Sequence, residues 1–317
     1  MASAKQKVPE VVQLVRSYKP PKVNYKSQKS ISFSQYSQYA TCKQQWALNY
    51  VYKHQEYAPS IHTVFGTALH ETVQSWLDTI YTKSASAANK MDLDSVLKES
   101  LRSTYVKERK KAKAVDFSNP SELKEFYQDG QQILNYLKTN RSTYFPVKKH
   151  HLVGIEFPIV YELKKNVYFK GYIDMIIYDE VLEKFLLIDL KTSTSGWNEY
   201  QKKDDTKTSQ LLLYKHFFSQ TFDIPLESIE LLYMVARRKL AQGGEFTPKR
   251  IQKVVPVSGK IKIGKLKKQL DEFVQESFDD QGKYVVKQYA TSPSKSNCRF
   301  CPFKDNSELC AESYKGM

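Results

Sequence analysis

The sequence predicts an α/β protein in which a mixed β-sheet is flanked by helices, with a helical lobe before the sheet and a cysteine-containing tail after it. Helical periodicity dominates the chain up to about residue 145. Three apolar runs typical of strands then follow at short intervals between residues 151 and 191. One further helix and strand come next, an alternation that is typical of a crossover connection within a sheet.

Four helices are expected in the N-terminal half of the chain. They are predicted over residues 33–53, 62–82, 92–113 and 120–144. Ser32 and Gln35 form a capping box at the start of the first helix, and Pro120 opens the last one. Residues 1–29 are rich in lysine and poor in acidic residues, and they predict a flexible basic arm.

The sheet is expected to begin as an antiparallel meander, because short connections join its first three strands. These strands are predicted at residues 151–163, 167–178 and 184–191. A helix at 206–221 then crosses over to a strand at 229–236, which should be parallel to its neighbour. A basic hairpin that bends at Gly243 and Gly244 leads to the last elements, a strand at 250–256 and a helix at 262–277.

Four regions follow from this organisation. They are the arm (1–29), a helical lobe (30–145), the sheet with its crossover helix (146–258) and a C-terminal helix with the cysteine tail (259–317). At 317 residues with 41% hydrophobic content, the chain is long enough to bury one substantial core and an added lobe.

Composition favours a protein that binds nucleic acid. The net charge is +15, and the chain contains 22 tyrosines and 16 phenylalanines that could stack on bases. Basic residues concentrate at Arg237 to Lys239, at Lys249 and Arg250, and from Lys260 to Lys268, and we expect the first cluster to contact the DNA backbone. A solvated lysine-rich surface is the alternative explanation of the same charge.

Several classes of protein are excluded or disfavoured by what the sequence lacks. No apolar run reaches the length of a membrane span, and no phosphate-binding motif of an ATP-driven motor occurs. No secretory signal is seen, which favours an intracellular protein, cytoplasmic or nucleoid-associated, although the basic arm also has the character of a weak organelle-targeting signal. The low glycine and high lysine and tyrosine content suggests an AT-rich genome, such as that of a phage.

The most informative residues are two aspartates in neighbouring apolar strands. Asp174 lies in the second predicted strand, and Asp189 in the third, with Lys191 two residues later on the same face. A carboxylate within an apolar strand is costly unless it is paired or binds a metal ion. Two carboxylates and an ammonium group suit metal-assisted phosphodiester hydrolysis, whereas simple pairing with neighbouring lysines is the alternative.

Other polar residues occur in an order that supports a metal site. Gly66 and His70 lie four residues apart in a predicted helix, and the glycine would allow close approach of backbone or substrate. Glu156 lies in the first strand. Gln210 and Tyr214 share one face of the crossover helix. His70 alone would more often be a hydrogen-bonded helix residue than a metal ligand.

The chain thus contains five sequence blocks in order: Gly66 with His70, Glu156, Asp174, Asp189 with Lys191, and Gln210 with Tyr214. With these blocks it resembles the RecB-like branch of the PD-(D/E)XK nuclease superfamily, over roughly residues 32 to 236 and again at the C-terminal cysteines. The resemblance implies a restriction-endonuclease-like core and a Mn²⁺ or Mg²⁺ site. The implied metal ligands are His70, Asp174, Asp189 and the carbonyl of Leu190. It further implies that Lys191 is the catalytic lysine and that Gln210 and Tyr214 contact DNA or support the site. Glu156 matches a position whose role varies within the family.

The four cysteines suggest a second metal site. Cys298, Cys301 and Cys310 cluster near the C-terminus, and Cys42 lies far earlier in the helical lobe. In an intracellular protein two structural disulfides are disfavoured, so the four thiols predict either a zinc site or a [4Fe–4S] cluster. Their spacing alone does not choose between the two.

The resemblance favours the iron–sulfur cluster. AddB-type RecB-like nucleases carry one cysteine before the nuclease core and three after it, and these residues ligate a [4Fe–4S] cluster. Two departures from that pattern are Lys43, where the family often has proline, and the longer gap before Cys310. Structural Zn²⁺ remains the alternative. In either case the metal would join the N-terminal helix to the C-terminal tail.

The resemblance implies a metal-dependent DNA exonuclease that acts on DNA ends or single strands in recombination, repair or replication. Partners expected for such an enzyme include a recombinase, a single-strand-binding protein or a helicase. Two alternatives are an endonuclease of the same fold and a non-catalytic DNA-end-binding subunit. The complete set of two aspartates and a lysine argues against the non-catalytic subunit, because a relic has no physical reason to keep a buried acidic pair.

Overall fold

The structure, a computed structural model, describes residues 8–54, 57–241 and 249–312. In this part of the chain the helices are α1 Glu10–Arg16, α2 Phe33–Thr41, α3 Lys43–Tyr50, α4 Ile61–Thr82, α5 Ala85–Asn89, α6 Leu93–Lys111, α7 Pro120–Thr139, α8 Arg141–Tyr144, α9 Glu199–Lys203, α10 Asp205–Phe222, α11 Lys260–Ser277 and α12 Lys295–Cys298. The strands are β1 Lys29–Ile31, β2 His150–Lys164, β3 Val167–Asp179, β4 Lys184–Ser193, β5 Ile229–Arg237 and β6 Ile251–Val254.

The six strands form one mixed sheet around β3. One edge of β3 pairs antiparallel with β2, while its other edge pairs with β1 at residues 167–169 and with β4 at residues 175–179. On that second edge, residues 170–174 have no strand partner in the described part of the chain. Next in the sheet, β5 lies parallel to β4, and β6 is antiparallel to β5. The predicted meander and parallel crossover are therefore confirmed.

Hydrophobic cores cover both faces of the sheet. On one face, α1, α2, α3, α10 and α11 bury a cluster that includes Trp46 and Phe273. On the other face, α4, α6 and α7 bury a cluster that includes Trp76 and Phe65. The helices expected to form a single lobe are thus divided between the two faces, because α2 and α3 pack with the C-terminal half of the chain.

Some local predictions differ from the structure. The helix expected over 33–53 is interrupted at Cys42, whose backbone is extended (φ −157°, ψ 112°), so it becomes α2 and α3. The helix expected over 120–144 ends at Asn140 and resumes as α8. Within the segment predicted to be a flexible arm, α1 buries Val12 and Val15 against the sheet.

Further outcomes concern two strands, the predicted hairpin and the membrane-span search. β1 was not predicted, and β6 covers only part of the strand predicted at 250–256. The glycines of the predicted hairpin, Gly243 and Gly244, lie outside the described residues. Among the helices that the structure describes, none has the length and apolar character needed to cross a membrane.

Candidate active site

The two aspartates lie where β3 and β4 separate. The pairing of these strands ends at Met175 and Ile188, and the next residues beyond that pair are Asp174, which precedes Met175, and Asp189, which follows Ile188. The backbone N–H of Leu190 donates to Asp174 Oδ2 at 2.8 Å, so a side chain takes the place of a ladder hydrogen bond. Because β4 continues its pairing with β5 as far as Ser193, the separation opens a fork lined by carboxylates.

A chain of polar contacts runs from Asp189 to helix α10. The ammonium group of Lys191 lies 2.8 Å and 3.1 Å from the two carboxylate oxygens of Asp189. The same group donates to Gln210 Oε1 at 3.0 Å, and Gln210 Nε2 donates to the Tyr214 hydroxyl at 3.2 Å. Burial lowers the pKa of Lys191, but the charge and hydrogen bond of Asp189 outweigh this effect and raise it overall. Lys191 is therefore held as a cation.

A second group of potential metal ligands lies on the open side of the fork. Ligand atoms of His70, Glu156 and Asp174 all lie within 4.8 Å of one another. His70 Nδ1 is 3.4 Å from Asp174 Oδ2. One helical turn later, Gln74 Nε2 donates to Glu156 Oε1 at 2.6 Å. Helix α4 thus presents both an imidazole and an amide to the carboxylates of the sheet.

Glu156 reaches this group because β2 is irregular at that point. Its φ of +46° lies in the left-handed region, which is uncommon for a residue other than glycine. In the register of β2 with β3, the pairs on either side of it are Ile155 with Met175 and Phe157 with Ile173. Strained backbone of this kind persists only where surrounding structure supports it, and it is frequent at functional sites.

The electrostatics of the fork favour the binding of a cation. Burial, together with the charge of Asp189, raises the pKa of Asp174 well above its usual range. Burial also lowers the pKa of His70, which keeps the imidazole neutral and its lone pair available. Oxygen ligands with one imidazole suit Mg²⁺ or Mn²⁺, and a bound cation would offset the repulsion between the carboxylates. The residues present therefore fit a divalent metal ion.

Not all of the predicted site residues belong to the close group of potential metal ligands. The close trio includes Glu156, the residue with the weakest sequence support, but not Asp189, whose side chain is 1% exposed and bound by Lys191. The backbone of Leu190 also hydrogen-bonds the His70 ring. Gln74 was missed, and its only sequence signal is its spacing of four residues from His70.

The two glycines near the site differ in how tightly they are packed. A Cβ at Gly171 would lie 2.8 Å from the Tyr214 hydroxyl, so the Tyr214 ring can hold its position only because residue 171 has no side chain. A Cβ at Gly66 would approach Thr192 Oγ1 at 3.6 Å, an ordinary contact. Among the described residues, Gly66 therefore does not permit an unusually close approach of another part of the chain, and close approach of the substrate stays a prediction.

The four cysteines line one cavity. Cys42 lies at the break between α2 and α3, and Cys298, Cys301 and Cys310 belong to the C-terminal segment that packs against it. Burial raises the pKa of the Cys301 and Cys310 thiols, and the neighbouring cysteines add to this effect. Four half-buried thiols around one cavity are a ligand set that fits a thiolate-bound metal centre.

Polar side chains also join the two ends of the chain beside this cavity. Gln44 N–H donates to the carbonyl of Ala290, and its side-chain amide donates to the carbonyl of Leu309. In the other direction, the Asn297 amide donates to the carbonyl of Thr41 at 3.2 Å. The predicted proximity of the N-terminal helix and the cysteine tail thus has direct hydrogen-bonded support.

The basic cluster at the end of β5 corrects an expectation from the sequence. Arg238 is buried, donates to Asp129 Oδ2 at 2.9 Å and stacks on Phe126. Lys239 lies 2.9 Å from both Asp129 and Glu125. These two residues are engaged by acidic side chains of α7, so the prediction that the whole cluster faces DNA was wrong for Arg238. Periodicity did not reveal this, because its partners are remote in sequence.

A forked mixed sheet with carboxylates, a lysine and a covering imidazole defines a metal-dependent nuclease core. A model of the PD-(D/E)XK nuclease superfamily matches residues 30–306, most of the chain, and the protein belongs to this superfamily. No curated protein matches the sequence. The predicted fold class is confirmed, and the family implies a nuclease whose substrate is DNA.

Proposed function

We propose that the chain is a metal-dependent DNA exonuclease that acts on DNA ends or single strands in recombination, repair or replication. The observation that carries the proposal is the fork between β3 and β4. There, Asp174 and Asp189 lie on adjacent strands just beyond the last β3–β4 pair, and Lys191 binds the second carboxylate. The preference for ends rests on the likeness of the five sequence blocks to RecB-like nucleases.

In this proposal His70, Glu156 and Asp174 hold Mn²⁺ or Mg²⁺, together with Asp189 and the carbonyl of Leu190. A bound divalent ion supplies Lewis-acid polarisation of the phosphodiester and eases the ionisation of water. The neutral imidazole and the carboxylates of the fork are the groups that would orient such an ion.

Lys191 supplies fixed positive charge. Its ammonium group lies in the fork and can offset the negative charge that develops on the phosphoryl oxygens during hydrolysis. Gln210 accepts one of its hydrogens at 3.0 Å, and Tyr214 in turn holds the Gln210 amide. Gln210 and Tyr214 therefore act as positioning residues for the lysine, and they also border the cleft next to the fork.

The test is cleavage of labelled linear and circular single-stranded DNA with Mn²⁺. The wild-type protein should degrade the linear strand only. Asp174→Ala and Asp189→Ala should abolish cleavage, and Lys191→Ala should reduce it by about 100- to 1,000-fold, the loss typical of removing one charge-stabilising donor. Lys184→Ala is the matched control, because Lys184 lies at the opposite end of β4 and pairs with Glu230.

Other outcomes would identify a different function. Cutting of circles would indicate an endonuclease, and binding without degradation would indicate a DNA-end-binding subunit. Wild-type turnover by Asp189→Ala with unchanged thermal stability would remove the fork from the chemistry.

We further propose that the four cysteines hold a [4Fe–4S] cluster, with structural Zn²⁺ as the alternative. Protein purified without oxygen should then contain about four irons per chain. Cys42→Ser and Cys301→Ser should lose the metal equally, whereas Ser292→Ala, a change in the wall of the same cavity, should retain it. Stoichiometric zinc without iron would identify the site as structural Zn²⁺ instead. Metal retention by Cys42→Ser would show that the metal does not link the two ends of the chain.

A further inference from the structure

A cleft lies along β3 and is bordered by Gln210 and Tyr214, two residues of the candidate active site. Side chains two residues apart share a face of a strand, so Asp174, Tyr172 and Lys170 follow one another on the same face. Tyr172 and Lys170 line a cleft of about 320 Å³, together with Gln210 and Tyr214. The facing wall is formed by residues 30–35, at the end of β1 and the start of α2. The cleft opens where β3 lacks a strand partner.

Lys170 carries a positive charge that no acidic group offsets. Its ammonium group donates to the Tyr25 hydroxyl at 2.8 Å and lies 5.5 Å from the ring centres of both Tyr25 and Tyr172. In the described part of the chain no carboxylate lies within ion-pair distance of it. Tyr172 is 44% exposed and Tyr25 is 59% exposed. An available cation therefore lies between two exposed aromatic rings, on the same strand as Asp174.

These groups match the two chemical features of a nucleic-acid strand. A lysine neutralises phosphate, and an exposed aromatic ring stacks on bases. At the rise of a strand, Tyr172 lies about 7 Å and Lys170 about 13 Å beyond Asp174. Neighbouring nucleotides of an extended strand repeat over comparable distances. In a duplex the base faces are stacked on one another, so a tyrosine can use them only where the strand is unpaired.

We propose that this cleft binds an unpaired DNA strand next to the cleavage site, with Lys170 on a phosphate and Tyr172 stacked on a base. The inference rests on the proposed nuclease function and deepens it, because it specifies a single strand or a frayed end as the substrate. Tyr25 contacts the same lysine and offers a second exposed ring beside it. The first turn of α2 contains no acidic residue and leaves the facing wall open to phosphate.

The test measures binding of a fluorescent oligothymidylate of about 15 nucleotides, a length that matches typical single-strand sites. A chelator is present, so binding is separated from cleavage. Tyr172→Ala should weaken binding by about 5- to 100-fold, the range typical of one stacked base. Tyr172→Phe should bind like the wild-type protein. Lys170→Ala should lower the slope of log affinity against log salt by about 0.7, the value for one phosphate of a single strand.

A matched control exists in the helical part of the chain. Lys111 lies over the exposed ring of Tyr57 at 5.6 Å, the same pairing outside the cleft, so the double change Lys111→Ala with Tyr57→Ala should leave binding unchanged. Binding of a blunt duplex should change less than twofold in Tyr172→Ala. Equal losses for single strand and duplex would overturn the proposal, as would wild-type affinity of Tyr172→Ala.

The experiments distinguish failure of the cleft proposal from failure of the nuclease proposal. If the wild-type protein degrades DNA with Mn²⁺ while Tyr172→Ala binds and cleaves normally, the cleft proposal is wrong and the nuclease proposal stands. If Tyr172→Ala loses single-strand binding but the wild-type protein never cleaves, the cleft proposal stands and the nuclease proposal is wrong.

Discussion

Replacement of Asp129 by alanine is expected to destabilise the protein by about 3–5 kcal/mol, because it leaves a buried guanidinium without its partner. The Asp129 side chain is 4% exposed, and its two oxygens accept from Arg238 and Lys239 at 2.9 Å each. The Arg238 side chain is 8% exposed, and its guanidinium lies 3.7 Å from the ring centre of Phe126, so water cannot replace the lost carboxylate. Glu125, at 3.9 Å, is too distant for a full substitute.

The assay is thermal unfolding followed by circular dichroism. For a chain of 317 residues the unfolding entropy is on the order of 0.7 kcal/mol/K, so Asp129→Ala should lower Tm by about 4–8 °C. Arg238→Met should lower the free energy of unfolding by less than Asp129→Ala, because Lys239 still pairs with the Asp129 carboxylate. The double variant should be more stable than the sum of the single changes implies, since the two residues are in contact. Arg102→Met, on the exposed side of α6, is the control and should change Tm by less than about 1 °C.

DNA binding provides the decisive comparison. If Arg238 joins α7 to the end of β5, Arg238→Met should leave the salt dependence of DNA affinity unchanged in the folded protein. A phosphate contact would instead lower the log–log slope by about 0.7–0.9. A lowered slope without any loss of Tm would refute the assignment of Arg238 as a structural residue, and so would an unchanged Tm for Asp129→Ala.

Three further outcomes are expected. Gly171→Ala should displace Tyr214 and lower the initial rate of cleavage at least tenfold. Gly66→Ala should keep the wild-type rate and raise the free energy of unfolding by up to about 1 kcal/mol, seen as a higher Tm. Burial alone would raise the pKa of Glu276, but hydrogen bonds from two lysines and a tyrosine lower it to about 2. Wild-type stability should therefore fall by on the order of 1 kcal/mol between pH 4.5 and 2, and a denaturant titration should show no such fall in Glu276→Gln. His70→Ala should weaken Mn²⁺ binding measured by calorimetry without altering Tm, and unchanged affinity would remove it from the metal site.

The sequence predicted those features that depend on local pattern. Apolar runs with period two placed β2, β3 and β4, and the short connections between them required an antiparallel meander. Once the strands were paired, Asp174 and Asp189 had to come close together. The parallel placement of β5 followed from the crossover helix in the same way.

Other features depend on contacts between residues remote in sequence, which local sequence patterns do not predict. The left-handed backbone of Glu156 and its proximity to His70 and Asp174 appear only in the folded sheet. The break at Cys42 separates two segments that each read as helical. Arg238 resembled a surface residue because its charge was visible in the sequence, whereas Asp129 and Phe126 lie on a helix more than a hundred residues earlier.

The two proposed metal sites are mechanically separable. Trp46 on α3 is fully buried and packs against Phe273, Tyr284 and Tyr289 of the C-terminal segment, so aromatic contacts already hold the chain ends together beside the cysteines. The carboxylate fork is supported from the opposite face of the sheet, through His70 and the core around α4. If the cysteines hold a metal, its loss should therefore loosen the tail more than the fork, which is linked to the core around Trp46 through Gln210 of α10. This arrangement favours a structural role for the metal ion or cluster that we propose the cysteines hold.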